Sequence, residues 1–160
     1  MKKINYLLSA IVMCGVLFTA GCKGGDEPGI TPEQAVLTKL AQTWKLGLVT
    51  LDNTSEYADD FANFTMIFTA AKGYATSGSP AFGPFSQASA SGTWDFVVTP
   101  TDPNASAFQI YRTSDNLVMD VQVSATAMSL SFNFVDDDGD GVHDGREEAV
   151  TGAWVFNFTI

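Results

Sequence analysis

Apolar side chains recur at every second position along most of this chain. The runs are Phe64, Met66, Phe68; Trp94, Phe96, Val98; Leu117, Met119, Val121, Val123; Met128, Leu130, Phe132, Phe134; and Trp154, Phe156, Phe158, Ile160. A period of two sends alternate side chains to opposite faces, so each run reads as a strand with one apolar and one wet face. The pattern predicts strands over 43–51, 62–70, 73–78, 88–99, 107–113, 117–124, 127–135 and 149–160. Turn formers separate them, as in Asp52-Asn53-Thr54-Ser55, Pro100-Thr101-Asp102-Pro103-Asn104 and Ser114-Asp115-Asn116. Eight short strands joined mostly by short turns predict an all-β antiparallel barrel or sandwich. A closed up-and-down barrel is favoured because closure leaves no exposed edge.

One segment departs from this period. Over 31–42, Val36, Leu37 and Leu40 form an apolar side, Thr31 can cap, Pro32 suits the first helical position, and Gln34 completes a capping box. A short N-terminal helix therefore leads into the strands. The expected inward set is Phe64, Phe68, Trp94, Phe96, Phe108, Phe132, Phe134, Trp154 and Phe156. So much ring volume leaves a narrow apolar cavity or none, since eight strands enclose just enough space for side chains or one small ligand.

The chain opens with Lys2 and Lys3, an apolar run from Leu7 to Phe18, and small residues before Cys22, which is a secretory layout. The apolar run is short for a permanent membrane span. Ala20-Gly21-Cys22 resembles the lipobox of bacterial lipoproteins, with Thr19 where leucine is usual. The resemblance implies cleavage after residue 21 and a fatty-acylated Cys22 that holds the protein to a membrane. The plain alternative is an ordinary signal peptide with an incidental cysteine. Lys23 rather than Asp after the cysteine implies, by the same resemblance, outer-membrane sorting, facing either the periplasm or the cell surface; Asp26-Glu27 resembles the acidic tags of surface-displayed lipoproteins. The expected organisation is a leader over 1–21, a lipidated flexible tether over 22–30 and one domain over 31–160.

Charge and cysteine content narrow the partners. The formal charge is −10, and −12 once Lys2 and Lys3 leave with the leader, so apart from the lipid anchor neither nucleic acid nor an anionic membrane surface is an expected partner. Of the two cysteines, Cys14 lies in the leader and Cys22 would carry lipid, leaving no thiol for a disulfide. Burial, a metal, or both must then stabilise the exported domain.

The metal candidate lies at 136–148, where seven of the eighteen acids fall. Counting from Asp136, Asp138, Asp140, Asp144 and Glu147 follow at positions 3, 5, 9 and 12, with Gly141 at position 6. Calcium takes six to eight oxygen ligands at roughly 2.3 to 2.6 Å, so the chain must curl tightly. Gly141 permits the bend, Val142 offers its carbonyl, Asp144 ligates directly or through water, and Glu147 closes the site with both oxygens. The flanks alternate like strands rather than helices, which makes the segment a long tip between two strands. It resembles the aspartate-rich calcium repeats of thrombospondin type 3 and related bacterial surface modules, with His143 at the position usually held by a branched apolar residue. With no second such pattern, a lone site of extracellular strength is expected, on the order of 10⁻⁴ to 10⁻³ M. The competing reading is a solvated acidic turn. Against it, hairpin loops usually run about two to five residues, and seven acids beside one arginine would repel one another without a cation.

Gln42-Thr43-Trp44-Lys45-Leu46 after the short helix resembles the start of lipocalin-like domains, in which a tryptophan plugs one end of the barrel; Gln42 stands where lipocalins prefer glycine. Gly92-Thr93-Trp94 and Gly152-Ala153-Trp154 repeat the Gly-x-Trp form of lipocalin-like lipoproteins of Gram-negative bacteria. The resemblance covers about 31–160 and implies a ligand-binding barrel, with Trp44 and Trp94 near the ligand. Plain core packing of large aromatics on strands accounts for each tryptophan taken singly. Ala81-Phe82-Gly83-Pro84-Phe85 interrupts the strand pattern. Phe82 and Phe85 either form an exposed lip for a ligand or protein partner or fold down over the core.

Catalysis finds little support. The only histidine is His143, and neither a G-x-S-x-G nor a phosphate loop occurs. Asp95 and Asp120 alternate with bulky residues and are expected to face solvent. Two non-enzymatic readings remain: a tethered barrel that captures a small apolar molecule or glycan, and an accessory subunit of a surface complex with a filled barrel and a protein-contact loop.

Overall fold

The computed structural model describes residues 29–55, 57–135 and 150–160. Residues 31–160 form one compact unit.

The helix α1, Pro32–Leu40, begins as its sequence dictates. Thr31 Oγ1 accepts from the Gln34 amide at 3.2 Å, and Gln34 Oε1 accepts from the Thr31 amide at 3.0 Å. It stops short of the expected Gln42 because its last carbonyls find side-chain donors. Gln42 Nε2 donates to the Lys39 carbonyl at 2.9 Å and the Trp44 indole to that of Leu40 at 3.0 Å. Val36, Leu37 and Leu40 then join the barrel core.

Eight strands follow: β1 Thr43–Leu51, β2 Thr65–Phe68, β3 Gly73–Ser77, β4 Ser91–Phe96, β5 Ala107–Arg112, β6 Val118–Val123, β7 Ala127–Phe134 and β8 Gly152–Thr159. Each pairs antiparallel with the next, and β8 closes on β1, so the fold is an all-antiparallel, closed eight-stranded up-and-down barrel of lipocalin-like build. Alternation does what the pattern requires. β6 and β7 bury Met119, Val121, Val123, Met128, Leu130 and Phe132 and turn the residues between them outward. Of the expected inward set, Phe108 and Phe134 are only half-buried, because they stand near strand ends.

Two strands are shorter than their apolar runs. The amides of Ala58, Asp60, Ala62 and Phe64 all bond to carbonyls three residues back, so 57–64 coils before β2 and sends Tyr57 and Phe61 into the core. Likewise a 3₁₀ turn at Gln87–Ser89 delays β4.

The glycines of the two later Gly-x-Trp segments have a steric reason. A Cβ on Gly92 would stand 2.9 Å from the Tyr74 ring of the paired strand. One on Gly152 would stand 2.6 Å from Leu51 and 2.7 Å from the Asp52 carboxylate. That carboxylate accepts from the Ala153 amide at 2.9 Å, which fixes the start of β8 against the end of β1.

The antiparallel order gives the barrel two distinct ends. At one, α1 is tied across the opening: Glu33 to Lys72 at 2.7 Å, and Lys39 Nζ to the carbonyls of Pro103 and Ala105 at 3.1 and 3.3 Å. At the other emerge the connections 52–64, 78–90, 113–117 and 135–151.

Candidate functional site

The connection over 78–90 turns inward rather than standing clear of the barrel. Phe85 is 1 % exposed. Its ring lies 5.4 to 6.3 Å from those of Phe64, Tyr74, Phe132 and Phe156, so one loop side chain touches rings from β3, β7, β8 and the approach to β2. Of the two placements open to it, Phe85 takes the core. Phe82 is half-buried, 5.7 Å from Tyr57, and packs against the edge of the same cluster. Edge-to-face pairs such as Phe85 with Phe132 and Phe156 set the positive ring edge against a negative ring face.

A residue that the strand pattern had not singled out holds this wedge. Arg112, the last residue of β5, points inward and is 2 % exposed. Its Nε donates to Asp115 Oδ1 at 2.9 Å, one terminal nitrogen to Asp115 Oδ2, and the other to the Pro84 carbonyl. Its guanidinium carbon sits 5.7 Å from the centre of the Phe85 ring. Burial works against the Arg112 charge, but the bonds and charge of Asp115 outweigh it and raise the pKa above the ordinary value. Burial likewise disfavours the Asp115 carboxylate, yet Arg112 and the Leu117 amide win and lower its pKa. Burial pushes the Tyr74 hydroxyl up. The signal was present: Phe108, Ile110 and Arg112 share one alternation, and Asp115 follows three residues later.

Trp44 and Trp94 are fully covered. The Trp44 indole is spent on the Leu40 carbonyl beneath α1, and that of Trp94 donates to the Gly73 carbonyl at 3.3 Å. Trp94 also packs edge-on to Phe68 and Phe96. Asp95 receives Lys72 at 2.7 Å, and Asp120 accepts from Gln109 Nε2 at 2.9 Å. The two carboxylates hold separate partners.

On the outside, an open groove of about 580 Å³ crosses the sheet. Leu48, Asn157, Ser129, Gln122 and Ala107 follow one cross-strand register from β1 to β5 and line it. Apart from Leu48 this row is small or polar, and it is uncharged.

Asp136, Asp138, Asp140, Val142, Asp144 and Glu147, the expected calcium ligands, lie outside the described residues, as does Cys22. Among the described residues no group of three acids, histidines or cysteines is placed to share an ion, and no helix is long and apolar enough to cross a membrane. What is described is the base from which the acidic segment springs: Phe134 pairs with Gly152, and Asp52 pins the next residue, Ala153.

Neither family models, curated proteins nor solved structures yield a match to this chain.

Proposed function

We propose that this protein is a non-catalytic lipoprotein, held to the outer membrane through Cys22, whose barrel serves as a rigid accessory module of a cell-surface assembly. The observation that carries this reading is Phe85, seated among rings from opposite walls where a captured ligand would otherwise lie. A filled interior moves recognition to the outer face and to the loops. Phe82, half-buried at the end away from α1, is the aromatic of that loop left for a partner.

Calcium belongs to the same proposal. The pairing of Phe134 with Gly152 holds the two ends of the acidic segment together, so much of the entropy of closing a loop around an ion is already spent by the barrel. The donor set of Asp136, Asp138, Asp140, Val142, Asp144 and Glu147 is all oxygen, which suits a hard cation.

A second reading draws support from the outer groove. Its volume falls in the usual range for ligand sites, and Asn157, Gln122 and Ser129 offer uncharged hydrogen-bonding groups suited to a neutral glycan. Native mass spectrometry of protein purified from its source separates these ideas. The accessory reading expects the mass of the acylated, calcium-loaded chain or of a complex with another protein. A retained apolar small molecule at one-to-one stoichiometry would overturn the filled-barrel reading, and a retained oligosaccharide would select the groove.

A further inference from the structure

We infer that the α1-capped end of the barrel rests on the lipid surface, with the acidic end pointing away from it. The inference builds on the anchor at Cys22 proposed above and adds an orientation and a docking face.

Three observations carry it. The first is where the chain enters. Thr31 caps α1, and α1 is tied to the turn between β2 and β3 through Lys72 and to the β4–β5 connection through Lys39. The stretch from Cys22 to Thr31 spans at most about 30 Å when fully extended and about 17 Å on average if flexible. Such a tether keeps this end within reach of the headgroups at high effective concentration, so even a weak face can dock.

The second is what that rim exposes. Val98 is 76 % exposed, and Ile67, Val97 and Ile160 are each about half exposed. They belong to β2, to the exit of β4 and to the residue after β8, and so are spread around one end of the barrel. Exposed aliphatic side chains at a rim insert readily among headgroups, because each methylene buried there leaves water.

The third is charge. Among the described residues, Lys39, Lys45 and Lys72 at this end balance Glu33, Asp95 and Asp102. Among the described residues the opposite end carries Asp52, Asp59, Asp60 and Asp115 and one cation, Arg112. An anionic leaflet repels the second end and tolerates the first. The orientation turns the end that carries Phe82 away from the membrane.

The test uses the mature acylated chain in vesicles of phosphatidylethanolamine and phosphatidylglycerol. Val98→Cys and, at the far end, Val118→Cys are each labelled with a nitroxide. Both positions are exposed, so the fold is kept, and Cys22 is occupied by lipid, so each variant carries one reactive thiol. At 98, dissolved oxygen should enhance relaxation more than a water-soluble nickel chelate does, with the order reversed at 118. Chelate dominance at both positions, in chains that sediment with the vesicles, would overturn the docking and leave the anchor intact. Chains that fail to sediment would sink the anchor and the orientation together.

Discussion

Phe85 and Arg112 divide the work of keeping one loop inside the barrel. The phenyl ring supplies apolar contact with four other rings, and the guanidinium bonds the Pro84 carbonyl next to it while remaining paired with Asp115. Phe85→Ala should therefore lower stability by about 3 to 5 kcal/mol, the usual cost of deleting a fully packed phenylalanine. Urea unfolding checks this, and a loss below about 1 kcal/mol would mean that the loop merely lies over the core. The ion pair adds a pH dependence. The pKa of Asp115 is lowered in the folded state, so its contribution is fully present above the ordinary carboxylate range and is lost as pH falls through the folded value. Asp115→Asn should flatten the acid limb of the stability curve and leave the alkaline limb unchanged, as read by melting temperature from pH 2 to 10. The side chain is 42 % exposed, so solvent screening keeps the effect modest.

At the scale of elements, the helix and hairpins follow rules local enough to read directly. Thr31, Pro32 and Gln34 place the start of α1, and Asp52-Asn53, both at positive φ, turn the chain tightly between Leu51 and Thr54. The end of α1 was less legible, because it depends on Trp44, four residues beyond Leu40, turning its indole back to a helix carbonyl. β2 was overestimated for a similar reason: Phe64 carries the strand period, but its amide is engaged by Phe61. The acidic connection between β7 and β8 carries its own prediction. If 136–148 wraps calcium, millimolar Ca²⁺ should raise the melting temperature above that in chelator, because a ligand that binds only the folded chain stabilises it. Asp140→Ala should abolish that shift while the far-ultraviolet spectrum of the barrel stays unchanged. Equal midpoints with and without metal would remove calcium from the protein's chemistry.

For the molecule as a whole, closure, filling and polarity come from different kinds of information. Alternation along a strand is a property of neighbours in the chain, so Met119, Val121 and Val123 announce their inward face without any partner. Five such runs and the strand segments between them point to an antiparallel barrel or sandwich, and closure favours the barrel because it leaves no exposed edge. Occupancy of the interior is not local in this way. Phe82 and Phe85 share one Gly/Pro segment, yet the first stays at the edge and the second enters the core, a choice set by space among Tyr74, Phe132 and Phe156 and by the Arg112 guanidinium. These partners lie from 11 to 71 residues away along the chain, so no window of sequence contains the contact that decides it. The strand order and the helix start were therefore written in spacing and side-chain type, whereas the seating of Phe85 inside the barrel and the two unlike ends exist only once distant strands have been brought together.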